Sequence, residues 1–352
     1  MKKKVLASLL ASLVLVGSLA GCGAKKEEAP AASAPAASAP AASAPAAAAP
    51  EYEWKMALNS TAGDNAYDTG ALFAEKVEEL TGGKVKVTLY GGASLGSTAE
   101  VLEGMSVGVA DVMVESVGTL ATFTPLANVE AMPYMFNSFE HFMEVWYSDL
   151  GEEIKTAVGD AAGFKLLGAA YRGPRIVTAT REMKTVEDFK GFKLRAPNLE
   201  MYIKTWEWFD AAPTPLAMNE VYTALQQKTV EGQENPMVDS LNYAFDEVCD
   251  YWIKTNHVYG CNVVIMDKAY FEGLPADIQA AVTEAAEYAG REISAAQADK
   301  DAAAEQELKD MGKTVVEVDN AAFAEYFKDF AATNYPDFAD WVARIAEMDP
   351  NK

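Results

Sequence analysis

The sequence predicts an α/β fold, and three observations carry that prediction. Short runs of alternating apolar residues take turns with helix-length amphipathic stretches, the pattern of βαβ units on a parallel sheet. Hydrophobic residues make up 50% of the 352-residue chain and aromatics 10%, ample for a packed core. After Pro275, as far as about Met311, there is no proline and one glycine, Gly290.

The elements follow in order from Glu51. Tyr52–Asn59 reads as a strand, and Tyr67–Leu80 as an amphipathic helix stopped by Gly82-Gly83. Val85, Val87 and Leu89 alternate as a second strand. Thr98–Met105 is a helix with Ser97 or Thr98 as N-cap, and Ala110–Glu115 a third strand. Further β-like runs are Leu166–Tyr171, Ile176–Ala179, Phe192–Ala196, Val230–Glu234 and His257–Met266. In the segment after Pro275, Ile278, Ala281, Val282, Ala285, Ala289 and Ile293 keep helical spacing. Unbroken, such a helix is about 50 Å long and can brace two lobes lying side by side. A break near Gly290 would instead leave two ordinary helices.

The N-terminus is an export signal. Met1-Lys2-Lys3-Lys4 is a basic start and residues 5–20 an apolar run too short for a membrane span. Leu19-Ala20-Gly21-Cys22 closes it in the order of a bacterial lipobox, which implies a signal over residues 1–21 and a lipid on Cys22. Residues 22–50 repeat Ala-Ala-Ser-Ala-Pro and lack large apolar groups, so they read as an extended tether. Loss of the three signal lysines carries the formal charge from −23 to −26.

That acidic balance argues against nucleic acid as a partner. Two histidines and three cysteines almost exclude multi-His or Cys-rich metal sites, while a carboxylate-only site stays open. No cofactor motif is present. The chain also lacks a Gly-x-Ser-x-Gly elbow, a Walker A loop and a His-Glu-x-x-His pair, so an exported hydrolase or lyase ranks last. Cys249 and Cys261, twelve residues apart, leave a disulfide and two buried thiols equally open.

Three stretches carry the chemistry. Tyr171-Arg172-Gly173-Pro174-Arg175 leaves a strand. In Lys190-Gly191-Phe192-Lys193-Leu194-Arg195-Ala196-Pro197-Asn198, alternation puts Lys193 and Arg195 on one face, and Pro197 leaves Arg195 at the strand tip. The third runs from Pro213 through Glu220-Val221-Tyr222-Thr223-Ala224-Leu225-Gln226 to Gly232-Gln233-Glu234-Asn235-Pro236. A guanidinium at a strand tip can hold a carboxylate through two parallel hydrogen bonds.

In these motifs, in this order, the chain from Tyr52 onward closely resembles the solute-binding proteins of tripartite ATP-independent periplasmic (TRAP) transporters, the C4-dicarboxylate-binding type. The resemblance implies a two-lobed fold that closes around a hinge on an organic acid, with the long helix crossing both lobes. On that reading residues 51–172 with about 261–300 form lobe I, and 173–260 with about 301–352 form lobe II. The loaded receptor then delivers its acid to a membrane permease driven by an ion gradient. It also implies roles: Arg195 pairs with the ligand carboxylate, Arg175 stands beside it, and Asn235 completes the clamp. Asn59 and Glu115 bond the rest of the solute, and Met218 replaces an aromatic ring of some relatives. His257, at the start of a hinge-proximal strand, joins through water or stays packed. Trp206 and Trp208, at helical spacing with Tyr202, read as core. The runner-up function is a carboxylate-sensing surface lipoprotein working with a signalling partner.

Overall fold

The computed structural model describes residues 49–351. The signal, Cys22 and nearly all of the tether lie outside the described residues. Nine strands form one mixed sheet, and helices alternate with them. They are β1 (Tyr52–Ala57), β2 (Val85–Tyr90), β3 (Val112–Ser116), β4 (Phe164–Ala179), β5 (Lys193–Ala196), β6 (Ala212–Pro215), β7 (Gly232–Pro236), β8 (Tyr251–Asp267) and β9 (Thr314–Glu317). The helices are α1 (Asn65–Leu80), α2 (Thr98–Gly104), α3 (Phe139–Trp146), α4 (Asp149–Ala162), α5 (Glu200–Trp208), α6 (Val221–Gln226), α7 (Met237–Asn242), α8 (Lys268–Gly273), α9 (Ala276–Asp310), α10 (Asn320–Tyr326), α11 (Phe330–Asn334) and α12 (Ala339–Glu347). Ser97 caps α2 in a reciprocal box with Glu100.

Strand order is β2-β1-β3-β8-β4-β7-β5-β6, with β9 beside β8. The sheet is mixed where the sequence suggests a parallel one. β1 pairs parallel with β2 and β3, and β5 parallel with β6 and β7. The strands joining these two groups, β4 and β8, are antiparallel to each other. One carries the chain from the first group to the second and the other carries it back, so their directions must oppose. The runs Leu166–Tyr171 and Ile176–Ala179 are thus one strand, and the run ending at Met266 begins at Tyr251 rather than at His257. Register shifts between β4 and β8 at Leu167/Ala170, Tyr171/Pro174 and Arg175/Val177 interrupt their pairing where the groups meet. β6 carries Pro213 and Pro215, which confine it to the sheet edge.

Both faces of the first group are buried, as strand alternation requires. Met113, Val263 and Ile265 enter one core with Phe142, Val158 and Leu120. Their neighbours Val112, Val114, Val264 and Met266 enter another beneath α1 and α9.

α9 is a single helix through Gly290, about 50 Å long at 1.5 Å per residue. Ile278, Val282, Ala285 and Ala289 pack on the first group, while Ala304 and Leu308 pack with Ile176, Met237 and Trp252 of the second. Gly290 serves close approach and not helix breaking: a Cβ there would stand 2.6 Å from Ala169 O and 2.6 Å from the Tyr147 hydroxyl. The chain end bridges both groups too. Phe323, Phe327 and Phe330 join the aromatic cluster of Trp206 and Phe209, while α12 sends Arg344 to Glu153 of α4 at 2.7 Å. Trp206 is core, and Trp208 donates to Tyr326 O at 3.2 Å. Among the described residues no helix is long and apolar enough to cross a membrane.

Candidate ligand-binding site

The carboxyl ends of β1, β3, β5 and β7 converge on one cavity of about 250 Å³. That is the usual ligand position on an open α/β sheet, and the volume lies below the ~300–1,000 Å³ of drug-sized sites. Six of the seven residues expected from the sequence line it: Arg195, Arg175, Asn235, Met218, Asn59 and Glu115. His257 does not.

Arg195 sits at the end of β5, where Pro197 stops further pairing. Its Nε and Nη2 donate to Leu216 O at 3.0 and 2.7 Å, which fixes the guanidinium plane. Among the described residues nothing else bonds this group, so the Nη1 donors are free. Burial lowers its pKa to about 10, which leaves the group cationic at neutral pH.

Arg175 is placed differently. Its Nε and Nη2 bind the Glu234 carboxylate at 2.5 and 2.8 Å, and Nη2 also donates to Asn235 Oδ1 at 3.0 Å. The Tyr202 ring lies 4.9 Å beneath its guanidinium carbon. Burial works to raise the Glu234 pKa, but Arg175 and His257 overcome it and hold the group at about 2. His257, in mid-β8 and fully buried, shares Nε2 with Glu234 at 3.2 Å and Nδ1 with Thr255 Oγ1 at 2.9 Å. Burial lowers its pKa, so the imidazole is neutral and gives its Nε2 hydrogen to the carboxylate. His257 therefore supports Glu234 from behind the wall. Asn235 is fixed by donating to Gln233 Oε1 at 2.7 Å and touches Met218 Sδ at 3.8 Å.

On the facing wall, Glu115 accepts from Thr98 Oγ1 at 3.1 Å, from Ser116 N at 2.9 Å and from Asn59 Nδ2 at 3.4 Å. Asn59 Nδ2 also bonds Thr98 Oγ1. This wall is rich in acceptors, whereas the wall of Arg175 and Arg195 presents cations.

Sequence reasoning missed Arg172, Asp64, Asp239 and Asn262, which all line the cavity. Arg172 donates to Asp239 Oδ2 at 2.8 Å. In a regular strand, positions 172 and 175 would face opposite sides. The register shift between Tyr171 and Pro174, with Gly173 at φ +87°, changes the phase so that both reach the cavity. The only sequence signal was Gly-Pro inside a strand-like run. Asp64 caps α1 by accepting from Ala66 N at 2.9 Å, and burial, then the charge of Asp239, raises its pKa to about 6. Cys249 and Cys261 are free thiols, both buried.

Set beside known proteins, residues 56–338 match the model of the bacterial extracellular solute-binding proteins, family 7. The chain belongs to this family, whose members are receptors for solutes and not enzymes. It is 33% identical over 271 residues, 77% of this chain and 83% of the other, to a solute-binding protein of Roseobacter denitrificans. It is 31% identical over 252 residues, 69% of this chain and 73% of the other, to the C4-dicarboxylate-binding periplasmic protein DctP of Rhodobacter capsulatus. A crystal structure of a TRAP periplasmic solute-binding protein from Roseobacter denitrificans with bound L-galactonate superposes with a TM-score of 0.78 at 30% identity, covering 85% of this chain and 99% of that one. The described chain shares their two-lobed fold.

Proposed function

We propose that the chain is the extracytoplasmic receptor of a TRAP transporter, which binds a small organic acid between its lobes and hands it to an ion-gradient-driven permease. The observation that carries this reading is Arg195, held by Leu216 O in a small cavity with its remaining N–H donors free. The ligand carboxylate takes Nη1 of Arg195, with Asn235 and Arg175 beside it. Lobe I comprises residues 51–172 with about 261–300, and lobe II residues 173–260 with about 301–352. The exchange of strands through β4 and β8 at Arg172–Pro174 and Tyr259–Cys261 supports this division. Cys22 carries the lipid that keeps the receptor on the outer face of a membrane, within reach of the permease.

The relatives bind different acids, L-galactonate in one structure and C4-dicarboxylates by name in another protein, so kinship selects the class and not the compound. The test is a thermal-shift screen of the full chain, unfolded and refolded to remove bound ligand, against small organic acids. A ligand that binds only the folded state raises the melting temperature with concentration. A folded protein that responds to no carboxylate would overturn the reading. Cys22→Ala should move the protein from the membrane to the soluble fraction of its cells.

A further inference from the structure

Two cavities meet at one boundary. The cavity of Arg195 and Arg175, about 250 Å³, and a second of about 350 Å³ share Asn59, Ser60, Asp64 and Tyr243. The second adds Thr61, Ala62 and Asn242, all exposed, so it lies on the solvent side of the first. Asn59, Ser60 and Asp64 belong to the turn between β1 and α1, in the first strand group. Tyr243 closes α7, which follows β7 of the second group. It is thus the one shared residue that reaches the boundary from the other lobe, and the only one of the four with a ring.

The boundary is held on both sides. Asn59 is bonded to Thr98 and Glu115, and Asp64 to Ala66 N. The Tyr243 ring stacks on the buried Phe245, with centroids 5.9 Å apart and planes 18° from parallel. Between them Ala244 is left-handed, φ +56°, a conformation that a residue with a Cβ keeps only where its surroundings hold it. Burial, then the charge of Asp64, raises the Tyr243 pKa, in keeping with a phenol that faces this carboxyl group across the cleft. Among the described residues no hydrogen bond holds the Tyr243 hydroxyl, so what this residue brings to the boundary is the bulk of its ring.

We propose, on top of the receptor reading, that Tyr243 is a partition that sets the length of the acid the receptor accepts. With its carboxylate on Arg195, a ligand has the inner cavity for the rest of its chain. A chain that outgrows this space meets the Tyr243 ring before it can use the outer cavity. Without the ring the two cavities join.

The test is calorimetric titration of the full chain, stripped of ligand, with straight-chain ω-hydroxy acids of four to ten carbons, a series in which length alone varies. Binding to the parent chain should stop at one length, with the next acid at least ~10-fold weaker, because a filled site does not admit further methylenes. Tyr243→Ala should bind that first rejected acid at least ~10-fold more tightly than the parent does. Tyr243→Phe keeps the ring and should keep the parent's limit. Tyr243 is 39% exposed, so neither change opens the core. A limit that is the same in the parent and in Tyr243→Ala would overturn the partition and leave the receptor reading intact. A limit that moves as far in Tyr243→Phe, or a parent with no limit, would do the same. A parent chain that binds none of the series overturns the partition if another carboxylate saturates it, and both readings if none does.

Discussion

Arg175 and Glu234 form a two-pronged ion pair, Nε to Oε2 at 2.5 Å and Nη2 to Oε1 at 2.8 Å, and Glu234 lies behind the cavity wall that Arg175 helps to build. The two arginines of the proposed clamp therefore differ in kind. Arg195 is anchored by a neutral carbonyl and has no ion pair among the described residues, while most of the charge of Arg175 is already answered inside the protein.

The first prediction follows from that difference. Arg195→Ala should weaken ligand binding at least ~100-fold, by loss of charge-assisted hydrogen bonds, with little change in melting temperature. Arg175→Ala leaves the buried Glu234 with the His257 hydrogen bond but without its cationic partner, so it should cost about 3–5 kcal/mol of stability. Arg175→Lys keeps the charge and should fall between. Calorimetry and thermal melts of the three variants check the ordering, and equal melting temperatures for the two alanine variants would contradict it.

The second concerns the crossing of α9 and β4. Gly168 has φ +64°, and a Cβ on it would stand 2.3 Å from Ala286 O. Gly290→Ala should cost about 1–3 kcal/mol as overpacking. Gly168→Ala should cost more, because it adds backbone strain to the clash. Urea unfolding of the full chain measures both.

Stability should depend on pH in two opposing windows. Glu234, held at about 2 against an ordinary 4.5, stabilises the fold above its unfolded value and loses that contribution as pH falls toward 2. Asp64 and Asp301 behave oppositely. Burial, with the Asp239 charge adding to it, raises Asp64 to about 6 from an ordinary 3.8, and burial likewise raises Asp301 to about 7. Each then contributes fully below pH 3.8 and loses its contribution as pH rises through 6 to 7. The variant Asp64→Asn/Asp301→Asn should flatten the decline in unfolding free energy between pH 4 and 7. A slope unchanged from the parent chain would reject the assignment.

Burial raises the Cys249 thiol to about 12 and pushes Cys261 up as well. Both should resist iodoacetamide in the folded protein at pH 8 and react fully in denaturant. Mass spectrometry of the alkylated chain reads the result, and rapid labelling of the folded form would exclude the buried arrangement.

Much of this was legible without coordinates. Local signals sufficed for most strands and for the helical segment of α9, while the six cavity residues came from the resemblance to a known family, with Arg195 alone also placed at a strand tip by the proline that follows it. The merger of Leu166–Tyr171 with Ile176–Ala179 was not legible. Gly173-Pro174 looks like a turn, and only pairing with β8 holds the backbone extended through it. β6 was invisible for a similar reason, since two prolines suit a strand only at a sheet edge.

By itself, then, the sequence determined the α/β class and the helical character of the segment after Pro275, which rest on periodicity, and through the resemblance of its motifs to a known family it marked six of the residues that line the cavity. The tertiary structure alone decided that His257 stands behind Glu234, that Gly290 is a contact and not a break, and that Arg172 and Asn262 complete the cavity. Each depends on groups distant in the chain: a register shift that turns Arg172 inward, and an amide relay from Tyr171 through Asn65 that aims Asn262. Sequence spacing carries no record of such contacts, because they exist only once β4, β8, α1 and α9 have packed together.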